Sequence, residues 1–402
     1  MTSETYPDFE SEDVLRRHID ATLSFYEPRI HAPMGGFYGC FLDDGTCFEP
    51  ETRQLVGSAR YVLNYATAYQ FDRRAQHLDW AKWGLDYLNT GHKQANGHYA
   101  WLIQDGIVAD KRVMAYGHAF VFLAAAACLK AGIQEAAQTV YSVFDFMEDY
   151  FWDEAGGAYY DERDDTLETL SPYRGQNANM HMCEALLAAW QATQDVRFLD
   201  RAERLAVHFA FELADQSGGQ IWEHYDAQWN VDLAYNIDNP NDRYKPWGFQ
   251  IGHQTEWTKL LLILDGERPN QKWLPKAKAL FDKAMDTGWD KDHGGLIYGV
   301  APDGRVCSHK KYFWVQSESF AAAWRLYKAT NDRKYLDHYK AIWRWSWDHM
   351  IDHKYGAWYR VRHRDGSAVD NKKSPYGKTD YHTMGACWDV LTVNKENIRV
   401  GT

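Results

Sequence analysis

Hydrophobic and polar positions divide this chain into two kinds of helix. In some stretches apolar residues surround the helix. Ala119 to Ala131 contains Ala124 to Ala127, Met180 to Ala192 runs through Ala185, Leu186, Leu187, Ala188 and Ala189, and Thr258 to Leu264 is mostly leucine. A helix apolar all round belongs in an interior. Others are amphipathic: Asp195 to Leu213, and Asn331 to Met350 with Asp332, Arg333, Lys334, Asp337 and Lys340 on a polar side. These predict an outer layer over the first kind.

Between the helices a glycine signature returns. It reads Gly35-Gly36-Phe37-Tyr38, Asn96-Gly97-His98-Tyr99, Gly156-Gly157-Ala158-Tyr159, Gly218-Gly219-Gln220-Ile221, Gly294-Gly295-Leu296-Ile297 and Tyr355-Gly356-Ala357-Trp358. The second-position glycines (36, 97, 157, 219, 295, 356) are separated by 61, 60, 62, 76 and 61 residues. A fixed period marks a repeat architecture. Each unit reads as outer helix, glycine turn, short extended piece, polar loop and buried inner helix. Neither helix of a pair buries its face alone, so the units stack. The expectation is all-α: an (α/α)6 barrel of six helix-pair repeats, with short β-hairpins in the connecting loops and residues 1–402 as one catalytic domain. An open solenoid is the alternative, and closure rests on analogy with other six-unit barrels. The long interval of 76 contains Tyr235 to Trp247, rich in Asn, Asp and Pro. Long loops of this kind are usually functional, so Arg243, Tyr244 and Trp247 are expected in a wall or lid.

Composition narrows the partners. The chain has 402 residues, a net charge of -12 and 15% aromatic residues, including 18 Trp and 26 Tyr. The negative charge disfavours nucleic acid. Abundant rings suit helix packing, and also stacking against sugar faces. Cys40, Cys47, Cys128, Cys183, Cys307 and Cys387 form no C-x-x-C pair, which fits a reducing cytosol. Met1 to Glu12 is polar and acidic, unlike a signal peptide, and no apolar run is long enough for a membrane span. A cytoplasmic protein is expected.

Candidate chemistry lies where the inner helices start. Those positions hold Arg53 after Thr52, Tyr116-Gly117-His118, Asn177 to His181, His253 with Glu256 one turn on, Trp314 with Glu318, and Tyr381-His382. In a closed barrel they ring one mouth. Helix caps are chiefly Ser, Thr, Asp or Asn, so Arg, His and Glu here point to a polar pocket. Bland readings stand beside this one: His118 as a satisfied core histidine, Arg53 as a surface charge. A His-x-x-Glu pair suits a metal, but no H-E-x-x-H helix, Asp cluster or thiolate pair accompanies it, so neither metal nor cofactor is expected. No nucleophile elbow, Walker loop or dinucleotide fingerprint occurs. Two histidines on opposite sides of a ring, His253 and His382, with Glu256 orienting the first, suit proton transfer at carbon beside a carbonyl. An arginine would stabilise the enediolate oxygen.

Taken together, Thr52-Arg53-Gln54, Tyr116-Gly117-His118-Ala119-Phe120, Asn177-Ala178-Asn179-Met180-His181 with Glu184, Gly252-His253-x-x-Glu256 and Tyr381-His382 resemble the N-acylglucosamine 2-epimerase superfamily. The resemblance implies an (α/α)6 barrel and metal-independent catalysis by His253 and His382. It also implies that Arg53, Asn177, His181, Arg243, Glu256, Trp314 and Glu318 bind sugar hydroxyls or the enediolate. Gly252-His253-Gln254-Thr255-Glu256-Trp257 with Arg243 upstream is similar to the branch that interconverts D-mannose and D-fructose, with D-lyxose and D-xylulose as a second pair. On that reading His382 moves the carbon-bound proton and His253 assists at oxygen, the reverse division staying open. The partner is a monosaccharide, with a homodimer allowed. Alternatives are a sugar 2-epimerase, a sulfoquinovose isomerase, an inverting glycosidase using Glu256 and Glu318, and a non-catalytic binding module.

Overall fold

The computed structural model describes residues 6–400, with side chains to residue 395; the first five residues of the polar N-terminal stretch lie outside the described residues. The helices are α1 (Glu12–Tyr26), α2 (Leu55–Asp72), α3 (Ala75–Tyr87), α4 (Ala115–Lys130), α5 (Ala136–Tyr150), α6 (Gln176–Thr193), α7 (Val196–Val207), α8 (Ile251–Glu267), α9 (Trp273–Gly288), α10 (Phe313–Thr330), α11 (Arg333–His349) and α12 (Tyr381–Val400). The even-numbered helices form an inner ring in which α12 packs on α2 as well as on α10, and the odd-numbered ones lie outside. The inner helices start earlier than their apolar runs suggested, at Ala115, Gln176 and Ile251. The polar residues of each helix start therefore occupy its first turns rather than the loop before it.

Short antiparallel pairs lock the units together. The strand before each inner helix pairs with the hairpin after the next outer helix. Thr52–Gln54 pairs with Leu102–Gln104, Val113–Met114 with Glu162–Arg163, and Arg174–Gly175 with His224–Tyr225. Phe249–Gln250 pairs with Gly299–Val300, and Lys311–Tyr312 with Val361–Arg362. The sixth link is the Phe41–Ser374 bridge, which joins the first unit to the last. The ring is closed and the open solenoid is excluded.

The repeat glycines have a backbone reason. All six second-position glycines have positive φ, from +66° at Gly36 to +95° at Gly97, a region costly for side chains with a Cβ. Three of the turns are clasped on both backbone groups by the fourth residue of the following inner helix. Asn179 bonds both backbone polar groups of Tyr159, Gln254 those of Ile221, and Gln316 those of Leu296.

Ring closure is held by aromatic packing at the seam. Trp343 of α11 stacks on Phe320 of α10 at 4.3 Å and on Phe9 at 5.0 Å, and meets Trp358 edge-on at 5.9 Å. It is fully buried. Trp343→Ala is expected to cost about 3–5 kcal/mol of stability, measured by urea unfolding; a loss below about 1 kcal/mol would show that the seam does not depend on this ring.

Candidate active site

The inner helices all start at the same end of the ring, and a cavity of about 370 Å³ opens among their first turns. Helical geometry decides which residues face it. The second and sixth residues of a helix share a face, and the fourth points away. The second positions supply Tyr116, Asn177, Trp314 and His382, the sixth positions Arg60, His181 and Glu256, and His253 is the third residue of α8; all line the cavity. Glu318, sixth in α10, lies directly beneath.

Both histidines are tied by the same ring nitrogen. His253 Nδ1 lies 2.9 Å from each oxygen of Glu223. His382 Nδ1 lies 2.7 Å from Glu318 Oε1. A carboxylate at Nδ1 fixes the proton there and leaves Nε2 as an acceptor facing the cavity. Each carboxylate is held in turn. The Gln176 amide nitrogen, 2.8 Å from His253 Nδ1, donates to Glu223 at 3.0 Å, and its orientation is set by the Trp257 indole, which donates to Gln176 Oε1. Lys259 donates to Glu318 Oε2.

Trp314 lies between the two imidazoles, its ring centroid 4.9 Å from that of His253 and 5.9 Å from that of His382. One helix, α10, separates α8 from α12, so the histidines flank it and do not face each other across the ring. Gly252 allows this approach: a Cβ there would come within 2.2 Å of the Trp314 ring. Arg60 is buried, donates to the Gly377 carbonyl at 2.6 Å and to the Tyr116 hydroxyl at 3.1 Å, and has its guanidinium 3.4 Å from His382 Nε2.

The floor is a buried charged cluster. His181 donates through Nδ1 to Glu184, which also accepts the Tyr381 hydroxyl at 2.6 Å. Burial pushes the Glu184 carboxyl up, but these hydrogen bonds and Lys259 bring it down to about 2. Burial, joined by Arg60, His181 and Lys259, holds His382 well below the usual imidazole range, so it rests neutral. Glu256 is 1% exposed and neither of its oxygens has a hydrogen-bond partner. Burial and the nearby Glu318 raise its pKa well above the carboxylate range. Arg60 and Lys259 already face Glu184 and Glu318, and an ionised Glu256 would be a third carboxylate against two cations. Its protonated form is the consistent one.

Several sequence expectations need correction. Glu256 does not orient His253; its oxygen lies 3.8 Å from His181 Nδ1, and Glu223 is the partner of His253. Side chains three apart on a helix run side by side, and Nδ1 of His253 turns to the neighbouring hairpin instead. Arg53 lies outside the cavity, its guanidinium spent on the Pro50 and Thr52 carbonyls. His118 also lies outside. It holds the fourth-residue slot, accepts the Tyr99 N–H at 3.1 Å and bonds the Met114 carbonyl, doing for its turn what Asn179, Gln254 and Gln316 do for theirs. Trp247 donates to the Leu233 carbonyl and packs edge-on against Trp222, bracing the 235–247 loop from behind. The loop itself contributes Asn241, Arg243, Tyr244 and Pro246 to the cavity. Asn177 lines it with an unpaired Oδ1.

Arg60, Glu223 and Lys259 escaped the sequence reading. Arg60 carried a usable signal, since it occupies the same sixth slot as His181, Glu256 and Glu318. Glu223 carried none, because it sits on a hairpin and not at a helix start. Among the described residues, two groups bring possible metal-ligand atoms within 4.8 Å of one another: His181, Glu184 and Glu256, and Glu256, Glu318 and His382. In both, the ionised carboxylate is already engaged, Glu184 by His181 and Tyr381, Glu318 by Lys259 and His382. A divalent ion would have to displace those partners and sit beside Arg60 and Lys259.

Known proteins share the sequence and the fold. A sequence model of the family described as N-acylglucosamine 2-epimerase (GlcNAc 2-epimerase) matches residues 36–386. A D-mannose isomerase of Marinomonas mediterranea is 49% identical over 388 residues, covering 96% of this chain and 98% of that protein. A crystal structure of a D-mannose isomerase superposes with a TM-score of 0.95 at 49% identity, over 96% of this chain and 100% of the other. The cellobiose 2-epimerase of Spirochaeta thermophila superposes with a TM-score of 0.85 at 23% identity, over 98% and 100%, and shares the fold.

Two substitutions separate the cavity from its support. Gly252→Ala is expected to displace Trp314 and lower turnover roughly 10–100-fold with folding retained; unchanged turnover would show that the ring position is unimportant. His118→Ala is expected to cost about 1–3 kcal/mol of stability with turnover of the folded protein preserved, checked by thermal unfolding beside the activity assay.

Proposed function

The chain belongs to the N-acylglucosamine 2-epimerase family, and from that premise we propose that it is an aldose–ketose isomerase interconverting D-mannose and D-fructose, with D-lyxose and D-xylulose as a second pair. The observation that carries the proposal is the pair of imidazoles, each with Nδ1 tied to a buried carboxylate and Nε2 turned to one cavity. The 49% identity to a D-mannose isomerase supports the choice of sugar.

The proposed steps need only these side chains. Within the ring-opened aldose, His382 Nε2 takes the C2 proton. The C2–H electron pair becomes the C1–C2 double bond, and the carbonyl oxygen at C1 takes the proton of Glu256. His253 Nε2 then takes the O2 proton as C2 becomes the ketone, and His382 returns its proton to C1. One proton passes from His253 to Glu256 to reset the site. The net change moves hydrogen from C2 to C1 and from O2 to O1. Arg60 lies beside His382, where negative charge develops, and the starts of the six inner helices add partial positive charge at the same mouth. Asn177 and Arg243 hold sugar hydroxyls. No metal or cofactor takes part.

NMR of mannose with the protein in D2O tests the reading directly. Fructose is the expected product, with deuterium at C1; glucose labelled at C2 would mean epimerisation and sink it. His253→Asn and His382→Asn are each expected to lower turnover by about 10²–10⁴ while remaining folded. Dialysis against EDTA is expected to leave the rate unchanged, and a loss restored by added metal would refute the metal-free mechanism. The pH–rate profile should be a bell. Its acid limb marks protonation of an imidazole base, His382 itself protonating only well below the ordinary histidine value, and its basic limb lies above the carboxylate range because Glu256 must keep its proton.

A further inference from the structure

We propose that Lys259 is a positioning residue for this reaction: from the floor of the site its ammonium keeps Glu318 a carboxylate, so that His382 presents an Nε2 lone pair to the sugar. The inference rests on the isomerase reading above. Its starting point is a second cavity, of about 610 Å³, at the other end of the ring. Later turns of the inner helices line it, among them Leu63, Leu123, Leu187 and Trp388, and Lys259 and Glu318 form part of its wall. The sugar cavity and this rear cavity are thus separated by one layer of buried charge.

Within that layer each oxygen of Glu318 has one charged or polar partner. Oε2 accepts from Lys259 Nζ, and Oε1 accepts from His382 Nδ1. Suppose Glu318 held a proton. Lys259 as an ammonium has no lone pair to receive it, and the neighbouring acceptor is His382 Nδ1. The imidazole would then carry its hydrogen on Nε2, and no base would face C2. The charge state of Glu318 therefore selects the tautomer of His382. Burial pushes the Glu318 carboxyl above the ordinary carboxylate value, and Lys259 is the group that most opposes that shift; its ammonium against Oε2 is what holds the carboxylate form. The other titratable groups facing this point are Glu256 on α8, His181 and Glu184 on α6, Arg60 on α2, and Tyr381, His382 and, beside Lys259, Asp389 on α12. The ionised Glu184 favours protonation of Glu318, so removing Lys259 leaves Glu318 as the group that takes up a proton.

The rear cavity supplies a readout that a packing role would not give. Lys259→Ala would open a space continuous with that cavity, reachable without crossing the sugar site. A small primary alkylammonium, ethylammonium as the probe, should enter there and replace the lost charge.

The test uses the full chain, with fructose formation from mannose as the assay. Lys259→Ala and Lys259→Gln are each expected to lower kcat about 100-fold with KM changed less than about threefold. The acid limb should move to higher pH, because Glu318 must lose its proton without a neighbouring cation. Ethylammonium should restore kcat of Lys259→Ala without competing with mannose, and Gly385→Leu, at a rear-cavity glycine with open space around its Cβ position, should block that rescue. Turnover within about twofold of the parent in either folded variant overturns the proposal. So does a loss equal at every pH with no rescue, which would mean packing alone, and so does rescue that competes with mannose. If Lys259→Ala fails to fold, the acid limb of Lys259→Gln decides. If the unsubstituted protein makes no fructose from mannose, the isomerase reading itself has failed, and that result is visible before any variant is made.

Discussion

The structure depends on how it compensates charge on the axis of the ring. Arg60, Lys259, Glu318 and the histidines His181, His253 and His382 are buried, with Glu184 half-buried beside them, and a buried charge without a partner is strongly destabilising. The histidines and carboxylates are matched, His382 with Glu318 and Lys259, His181 with Glu184 and Tyr381, and His253 with Glu223, while Arg60 donates to the Gly377 carbonyl and the Tyr116 hydroxyl. Neither oxygen of Glu256 has a partner, and its surroundings favour the neutral form. Satisfying one member of this network fixes the position of the next. The imidazoles therefore reach the cavity with defined tautomers and little freedom.

The repeat divides labour within the four inner helices α4, α6, α8 and α10. The fourth residue clasps the glycine turn, as Asn179, Gln254, Gln316 and His118 do. The second and sixth residues face the axis and carry the chemistry. Further along the same stripe Glu184, Lys259 and Asp389 lead toward the rear cavity. One scaffold can therefore hold different chemistries by changing axial positions, while the amide clasps and positive-φ glycines preserve the ring. The sequence distance between the fifth and sixth helix starts matters less than their common slot.

How much of this was legible beforehand follows from the range of each interaction. The period of about 60 residues, the two classes of helix and the grouping of polar residues at helix starts are local patterns, and they lead to the barrel and to His253, His382, His181, Asn177 and Trp314 at one mouth. The same logic, applied by helix slot instead of by nearness to the loop, would have found Arg60 and set His118 among the clasps. Arg53 misled because it stands next to a helix start without belonging to the helix, and its guanidinium bonds backbone carbonyls.

By itself the sequence determined the repeat, the burial of the inner helices and the residue types gathered at their starts, because helical periodicity and glycine turns act over a few residues. Only the tertiary structure decided which carboxylate serves which histidine. Glu223 reaches His253 from a hairpin 30 residues earlier, and Glu318 reaches His382 from a helix 64 residues earlier. Those pairings depend on side-chain direction and on the approach of separate elements, and neither is encoded in the spacing of residues along one strand or helix.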